Sequence, residues 1–162
     1  MFLRKTLIIM FVLSFLAVNG CTQTQEPKDM EQEKVIQYEN GEVGLRVYEA
    51  QSWMMDEEAK TKQFSVTFIN DYSKAIITVI SNEKSFEEIK RELKVGAGKV
   101  SVLEETNDYL AFKSERLESI RTDIYISQKG GHIGIVTIMT PLKNYESNQN
   151  SIQAFVNNVE LF

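Results

Sequence analysis

Two neighbouring stretches of the chain mark the first predicted hairpin. From Gln63 to Ile69 apolar and polar residues alternate, and Ala75 to Ile80 is an apolar run rich in β-branched residues. Period-two alternation is the pattern of a strand that buries one face. The polar sequence from Asn70 to Ser73 lies between them and favours a turn, so we predict that the two segments pair as a hairpin.

The period of the apolar residues lengthens to that of a helix after Ser85. Glu88 follows Ser85 by three residues, which is the capping-box pattern, and apolar residues then recur at helical spacing as far as Leu93. The segment Gly96-Ala97-Gly98 interrupts this spacing. We therefore predict a helix that begins after Ser85 and ends in the glycine-containing segment.

Strand-like segments and a closing helix account for the rest of the domain. A first strand is predicted within Glu42 to Glu49, and the charged residues 56–62 are predicted to form a connection. The last element is predicted as a helix from Tyr145 to about Leu161, with Val159 on its apolar face. Later strands are predicted at Val100 to Glu104, Tyr109 to Lys113, Ile120 to Ser127 and His132 to Met139, the last of them stopped by Pro141.

The connections among the later strands are of hairpin length, which favours antiparallel pairing over a parallel, doubly wound sheet. We predict an α+β fold class, with a mainly antiparallel β-sheet flanked by helices. The chain has 162 residues, of which 43% are hydrophobic, and this is enough for one core. Residues 35–162 are therefore expected to form a single domain.

A segment of different character precedes this domain. Arg4 and Lys5 are its only charged residues, and the run from Leu7 to Val18 is apolar except for Ser14. A basic start followed by about a dozen apolar residues is the pattern of a secretory signal. The run is shorter than the ~20 residues that span a hydrocarbon core, so an export signal is favoured over a membrane span.

The only cysteine of the chain, Cys21, stands directly after this segment. A lone cysteine cannot form an internal disulfide, so its position needs another explanation. Val18-Asn19-Gly20-Cys21 resembles the lipobox of bacterial lipoproteins. The resemblance implies that the Cys21 thiol carries a diacylglyceryl group and that the signal is cleaved between Gly20 and Cys21. The alternative is an ordinary secretory signal followed by an incidental cysteine.

On this interpretation residues 1–20 are a lipoprotein signal peptide, and residues 21–34 are a lipidated cysteine with a flexible tether. The tether is rich in Gln, Glu and Lys and shows no useful periodicity, which is typical of a segment without a core. Two acyl chains attach a protein firmly to a bilayer. The expected location is therefore the extracytoplasmic face of the cell membrane.

The charge balance excludes some classes of partner. The chain has 18 basic and 23 acidic residues, and removal of residues 1–20 would leave 16 basic and 23 acidic residues, a net charge of −7. Phosphate backbones and anionic lipid head groups repel an acidic domain, so nucleic acid is not expected as a partner. Membrane contact is expected through the lipid, and a basic or a neutral partner stays open.

The candidate chemical groups of the domain are few, and we predict no metal and no cofactor. His132, the only histidine, has neither a nucleophile nor a carboxylate beside it in sequence, so a surface histidine is favoured over a catalytic one. The acidic residues at 56–58 and 104–108 lack the spacing of a calcium loop, which favours a solvated face over a cation site. Tyr48 and Trp53 are candidates for a binding surface, although core packing is favoured for Trp53.

The predicted elements follow one another in an order shared with a known family. They are an early strand that closes on Trp53, a hairpin from Phe64 to Ile80, a helix from Ser85 to Leu93, the strand series to Met139, and the spacing of Pro141, Tyr145 and Phe155 into a terminal helix. On these features residues 44–162 resemble the PsbP-like α/β/α sandwich superfamily, which includes the extrinsic photosystem II protein, a Ran-binding nuclear-import factor and many bacterial lipoproteins. The resemblance implies a non-enzymatic binding or assembly factor.

These features predict a membrane-anchored extracytoplasmic lipoprotein whose domain binds or assists an unidentified protein partner without catalysis. The alternative is an extracytoplasmic domain that binds a small molecule or a cation between its sheet and a helix. An enzyme is the third alternative, with hydrolysis through a serine and His132 as its route.

Overall fold

The computed structural model describes residues 34–60 and 63–162, and the stretch from Lys34 to Phe162 forms one compact unit. The predicted signal peptide, Gly20, Cys21 and the tether as far as residue 33 lie outside the described residues. No helix in the described part of the chain is both long enough and apolar enough to cross a bilayer.

In the described residues, the domain consists of two antiparallel sheets and two α-helices. The strands and helices are β1 Ile36–Asn40, β2 Leu45–Tyr48, β3 Met54–Lys60, β4 Phe64–Ile69, β5 Lys74–Ser81, α1 Phe86–Ala97, β6 Val100–Glu105, β7 Tyr109–Ser114, β8 Ile120–Lys129, β9 His132–Pro141, α2 Tyr145–Val156 and β10 Val159–Leu161, with a 3₁₀ turn at Leu142–Asn144 before α2. Seven strands form the larger sheet in the order β3-β4-β5-β9-β8-β7-β6, and β1-β2-β10 form the smaller one. The predicted α+β class with a mainly antiparallel sheet is confirmed.

The seven-stranded sheet buries both of its faces. Along β9, Ile133 and Ile135 belong to one core cluster, whereas Val136 and Ile138 belong to another. Successive side chains of a strand point to opposite faces, so the two clusters lie on opposite sides of the sheet. Helix α1 covers the first side, and α2 covers the second side together with the three-stranded sheet.

The predicted β4–β5 hairpin is confirmed. The two strands pair antiparallel, with Phe64 opposite Val79 at the end away from the turn. At the turn, Asn70 Oδ1 accepts hydrogen bonds from the backbone N–H groups of Tyr72 at 3.0 Å and Ser73 at 2.7 Å. An asparagine that bonds to its own backbone in this way replaces the missing ladder bonds and closes the turn.

The predicted capping box of α1 is confirmed as well. Ser85 Oγ accepts from the backbone N–H of Glu88 at 3.3 Å, and Glu88 Oε2 accepts from the backbone N–H of Ser85 at 2.9 Å. At the other end Gly98, with φ of 79°, donates its N–H to the Val95 carbonyl at 3.2 Å. Backbone groups that the helix itself cannot pair are thus bonded at both ends.

Lys90 connects α1 to the turn between β6 and β7. Its side chain is buried, and Nζ lies 2.7 Å from Glu87 Oε1 and donates to the Thr106 carbonyl at 2.6 Å. The hydrogen bond with Glu87 raises the pKa of Lys90. A buried ammonium group is tolerated only with such partners, so this contact determines where α1 lies along the edge of the sheet.

The charged residues 56–58 belong to strand β3, and their prediction as a connection is wrong. β3 is an edge strand whose side chains from Met54 to Glu58 are exposed. A bulge between Met55 and Glu57 also shifts the register of its pairing with β4. A strand exposed on both faces and interrupted by a bulge shows no period-two pattern, which explains the wrong prediction.

The predicted helix from Tyr145 to about Leu161 is too long, because α2 ends at Val156. The N–H of Asn158 donates to the Phe155 carbonyl at 2.9 Å, three residues back, and this tighter bond closes the last turn. Val159 then lies opposite Val47 as part of β10. β1 and β10 are both absent from the prediction.

Ser85→Ala removes one half of the capping box and is expected to lower the free energy of unfolding by about 1 kcal/mol. Hydrogen bonds from Ser85 hold the pKa of Glu88 below its usual value. The stabilisation from this carboxylate is therefore present above its unfolded-state pKa and is lost as the pH falls through its lower folded-state pKa. Urea unfolding at neutral and at acidic pH measures both effects.

The matched control is Ser127→Ala, at an exposed position of β8. This change should alter the free energy of unfolding by less than about 0.5 kcal/mol. Equal losses in the two variants would contradict a capping role for Ser85.

Candidate functional site

Trp53 lies in the core that α2 covers. Its side chain is only 3% exposed, and its ring stacks on Phe155 with centroids 4.4 Å apart. The indole Nε1 donates to Ser151 Oγ at 3.0 Å. A ring buried in this way offers no exposed face for stacking on a ligand.

Tyr48, the other residue of the predicted binding surface, is half-buried at the end of β2. Its hydroxyl donates to Glu160 Oε2 at 3.0 Å, and Lys34 Nζ lies 5.1 Å from the ring centroid. No ring contact joins Tyr48 to Trp53 within residues 34–60 and 63–162. Of the two, only Tyr48 is left for a surface contact.

His132 begins β9 and is half-buried, opposite Ser81 of β5. The two residues line a cavity of about 400 Å³ with Val43, Gln63, Phe64, Val79 and Ile80. Nucleophilic catalysis through serine and histidine uses a carboxylate that orients the imidazole. None of the described residues that line this cavity carries a carboxylate.

The acidic groups singled out in the sequence do not converge. In the part of the chain that the structure describes, no three His, Cys, Asp or Glu side chains are placed to hold a metal ion. Residues 56–58 lie exposed along the outer strand β3, whereas Glu105 pairs with Lys94 at 3.0 Å.

A polar pocket that sequence reasoning missed lies between the large sheet and α2. Alternation along β8 puts Arg121, Asp123 and Tyr125 on the face that α2 covers. Tyr109 of β7 lies opposite Tyr125, and Tyr145 begins α2. We call this cavity of about 280 Å³ the tyrosine–arginine pocket. Its lining consists of Glu104, Tyr109, Arg121, Tyr125, Tyr145, Gln149, Ile152 and Gln153.

Asp123 is fully buried beside this pocket and is bonded to two of its lining residues. The Tyr109 hydroxyl donates to Oδ1 at 2.6 Å. Arg121 donates from Nε to Oδ2 at 3.1 Å and from Nη2 to Oδ1 at 2.9 Å. A carboxylate removed from water needs charge-assisted partners of this kind, and here it has a bidentate one.

The guanidinium group of Arg121 is held on its flat face as well as at its edge. Its central carbon lies 3.7 Å from the ring centroid of Tyr145, which is a cation–π contact. The rings of Tyr109 and Tyr125 lie beside each other with centroids 5.0 Å apart. Contacts within the domain therefore hold the polar wall of the pocket in place.

Burial keeps the tyrosines of the pocket protonated. Burial and the Asp123 carboxylate raise the pKa of Tyr125 to about 12 and raise the pKa of Tyr109 well above its ordinary value. For Arg121, burial lowers the pKa, but the hydrogen bonds to Asp123 outweigh this effect and the pKa is raised. At neutral pH the pocket thus presents neutral tyrosine hydroxyls and the charged guanidinium group of Arg121, with the Glu104 carboxylate at its rim.

A row of polar contacts fixes α2, which forms the opposite wall. Asn148 Nδ2 donates to Ser73 Oγ at 2.6 Å, and the Ser73 hydroxyl lies 2.6 Å from Thr140 Oγ1. Asn70 Nδ2 donates to Asn148 Oδ1 at 3.3 Å. Buried networks that are fully bonded specify one arrangement, so the neighbouring Gln149 is presented at a defined height above the sheet.

Comparisons with known proteins place the fold. No protein-family model matches the chain, and no curated protein matches it. Among solved structures, cyanobacterial PsbP (CyanoP) from Synechocystis sp. PCC 6803 is similar at a TM-score of 0.51 and 7% identity, covering 80% of this chain and 94% of CyanoP. The chain has the PsbP-like fold.

A second solved structure agrees with this. The Ran-binding protein Mog1p from Saccharomyces cerevisiae is similar at a TM-score of 0.51 and 8% identity, covering 79% of this chain and 96% of Mog1p. The fold implied by the order of sequence elements is therefore confirmed. At sequence identities this low, the similarity supports a shared fold and does not indicate a shared function.

Tyr109→Phe removes one donor from the buried Asp123 carboxylate while keeping the ring. We expect the free energy of unfolding to fall by about 1–3 kcal/mol, because a buried acceptor loses a hydrogen bond that water does not replace. Urea unfolding followed by circular dichroism measures the loss. Tyr72→Phe, on an exposed turn, is the matched control and should cost less than about 0.5 kcal/mol. Indistinguishable variants would show that the hydroxyl of Tyr109 does not stabilise the domain.

Proposed function

We propose that this chain is a membrane-anchored extracytoplasmic lipoprotein whose domain binds a protein partner without catalysis. The observation that carries the proposal is the position of Cys21, the only cysteine, directly after Val18-Asn19-Gly20 at the end of the export-like segment. A thioether-linked lipid requires a thiol at that site. Two acyl chains would hold the acidic domain at a bilayer that its own charge does not favour.

Two features support a protein partner of basic character. Mog1p, which shares the fold, is named for binding another protein, Ran. On the domain itself, β3 exposes Met54 and Met55 directly beside the acidic residues 56–58. Apolar side chains rimmed by charge are typical of interaction sites, and the net charge of −7 expected after cleavage would steer a basic partner toward the domain.

The surroundings of His132 support a function without catalysis. Ser81 lies opposite His132, but no hydrogen bond links their side chains among the described residues, and no carboxylate lines their shared cavity. General-base catalysis requires the base to reach the proton that it abstracts. A binding role thus fits the described groups better than hydrolysis does.

A small-molecule-binding domain is the second candidate function, and the tyrosine–arginine pocket favours it. The pocket lies between the sheet and α2 and combines aromatic rings with converging polar groups. This combination in a preformed concave site is typical of ligand pockets. The two candidate functions are compatible, because an anchored domain can bind a ligand and a protein on different surfaces.

Cys21→Ala is expected to abolish incorporation of radiolabelled palmitate and to release the protein from the membrane fraction, because alanine has no thiol to alkylate. Labelling of the full chain in bacterial cells, followed by separation of membrane and soluble fractions, measures both effects. Palmitate incorporation equal to that of the unchanged chain would refute the lipid anchor.

Asn19→Ala is the matched control for this experiment. It changes the same four-residue segment but keeps the thiol, and alanine is the more usual residue at that position of a lipobox. Labelling should therefore persist in this variant. Loss of labelling in both variants would indicate damage to export rather than loss of the lipid site.

A further inference from the structure

We propose that the tyrosine–arginine pocket binds a neutral, hydroxyl-bearing ligand of the saccharide class. The inference rests on the second candidate function, a domain that holds a small molecule between its sheet and α2, and it names the class of that molecule. It does not depend on the lipid anchor or on the protein partner.

The charges around the pocket favour a neutral ligand. Arg121 is the positive group in the lining, and its charge is compensated by the buried Asp123 carboxylate. The negative group in the lining is Glu104, which is exposed at the rim. The compensated guanidinium group offers an anion little attraction, and water screens the attraction of the exposed Glu104 carboxylate for a cation. A charged ligand would therefore lose its hydration without gaining a strong counter-charge, whereas an uncharged ligand has no such cost.

The hydrogen-bonding groups of the lining match hydroxyls. The Arg121 guanidinium only donates, and the Glu104 carboxylate only accepts. The Tyr109 hydroxyl already donates to Asp123 and accepts from Arg121, whereas the side-chain amides of Gln149 and Gln153 both donate and accept. Sugar hydroxyls also donate and accept, so one ring satisfies all three kinds of group at once.

The ion pair beside the pocket has a positioning role. A buried ion pair is often no more stabilising than apolar side chains of the same volume. Here the pair uses Nε and Nη2 of Arg121 for Asp123 and Tyr109, which fixes the orientation of the guanidinium group in the pocket wall. With Tyr145 against its flat face, the guanidinium group is preorganised, and preorganisation reduces the entropy lost on binding.

The size of the cavity restricts the ligand to a small unit. At about 280 Å³ the pocket is slightly smaller than the usual range for ligand sites, which begins at about 300 Å³. A single sugar ring, free or at the end of a chain, suits this volume better than an extended ligand. Such a small site is expected to bind weakly, with a Kd on the order of 1 mM.

The test uses three sugars that share one ring and differ in charge. N-acetylglucosamine is neutral, glucosamine is cationic and N-acetylmuramic acid is anionic at neutral pH. Each is titrated into the ¹⁵N-labelled full chain in a detergent without sugar head groups, and amide chemical shifts are followed by NMR. We expect saturable shifts around Tyr109, Tyr125 and Gln149 with the neutral sugar, and binding about fivefold weaker with either charged sugar.

Gln149→Ala keeps the buried network intact, since Gln149 is exposed on α2, and should weaken binding of N-acetylglucosamine about fivefold through loss of a hydrogen-bonding group. Asn150→Ala, the next exposed position and outside the pocket lining, should bind as the unchanged chain does.

Three outcomes would overturn the proposal. They are no saturable shift with N-acetylglucosamine, tighter binding of either charged sugar, or equal binding by the Gln149→Ala and Asn150→Ala variants. Shifts produced instead by the neutral amide N-acetylglycine methylamide, with none from the sugar, would assign the pocket to a peptide ligand. Loss of lipid labelling at Cys21 would leave the titration unchanged, so failure of the anchor and failure of the saccharide site are distinguishable.

Discussion

The structure depends on one constraint: a seven-stranded sheet that is apolar on both faces must be covered on both faces. Helix α1 covers the face that carries Ile133 and Ile135. The other side, marked by Val136 and Ile138, is wider than α2 alone and also needs the small sheet β1-β2-β10. After α2 the chain therefore continues as β10, a strand of that small sheet, and the tyrosine–arginine pocket lies beside α2 on the same second face.

Polar contacts decide where each covering element lies, since apolar packing alone tolerates sliding. Lys90 holds α1 through the Thr106 carbonyl, and the Asn148–Ser73 bond holds α2. The side chain of Trp53 provides both apolar packing and a polar contact, because its ring packs on Phe155 while its N–H donates to Ser151. The interactions that stabilise the fold thus also determine the positions of the pocket walls.

The sequence predicts those elements whose apolar residues recur at a regular spacing or form an apolar, β-branched run. The hairpin β4–β5, the capped helix α1 and the strands β7 to β9 are of this kind. β3 is exposed and bulged, and β10 is only three residues long and continues an apolar helical spacing, so neither carries a distinct period. The tyrosine–arginine pocket is not predicted from the sequence for a different reason. The polar residues Arg121, Asp123 and Tyr125 alternate along β8, and this pattern alone predicts a strand face exposed to solvent. In the structure α2 covers that face.

The central claim is that the lipid places a non-catalytic binding domain beside a protein partner outside the cell membrane. In-cell cross-linking of the full chain with an amine-reactive reagent, followed by mass spectrometry of the adducts, tests this claim most directly. We expect one abundant adduct with a basic extracytoplasmic protein, formed at residues of the described domain and greatly reduced when the chain is not anchored. The absence of any protein adduct, or an adduct only with cytoplasmic proteins, would contradict it.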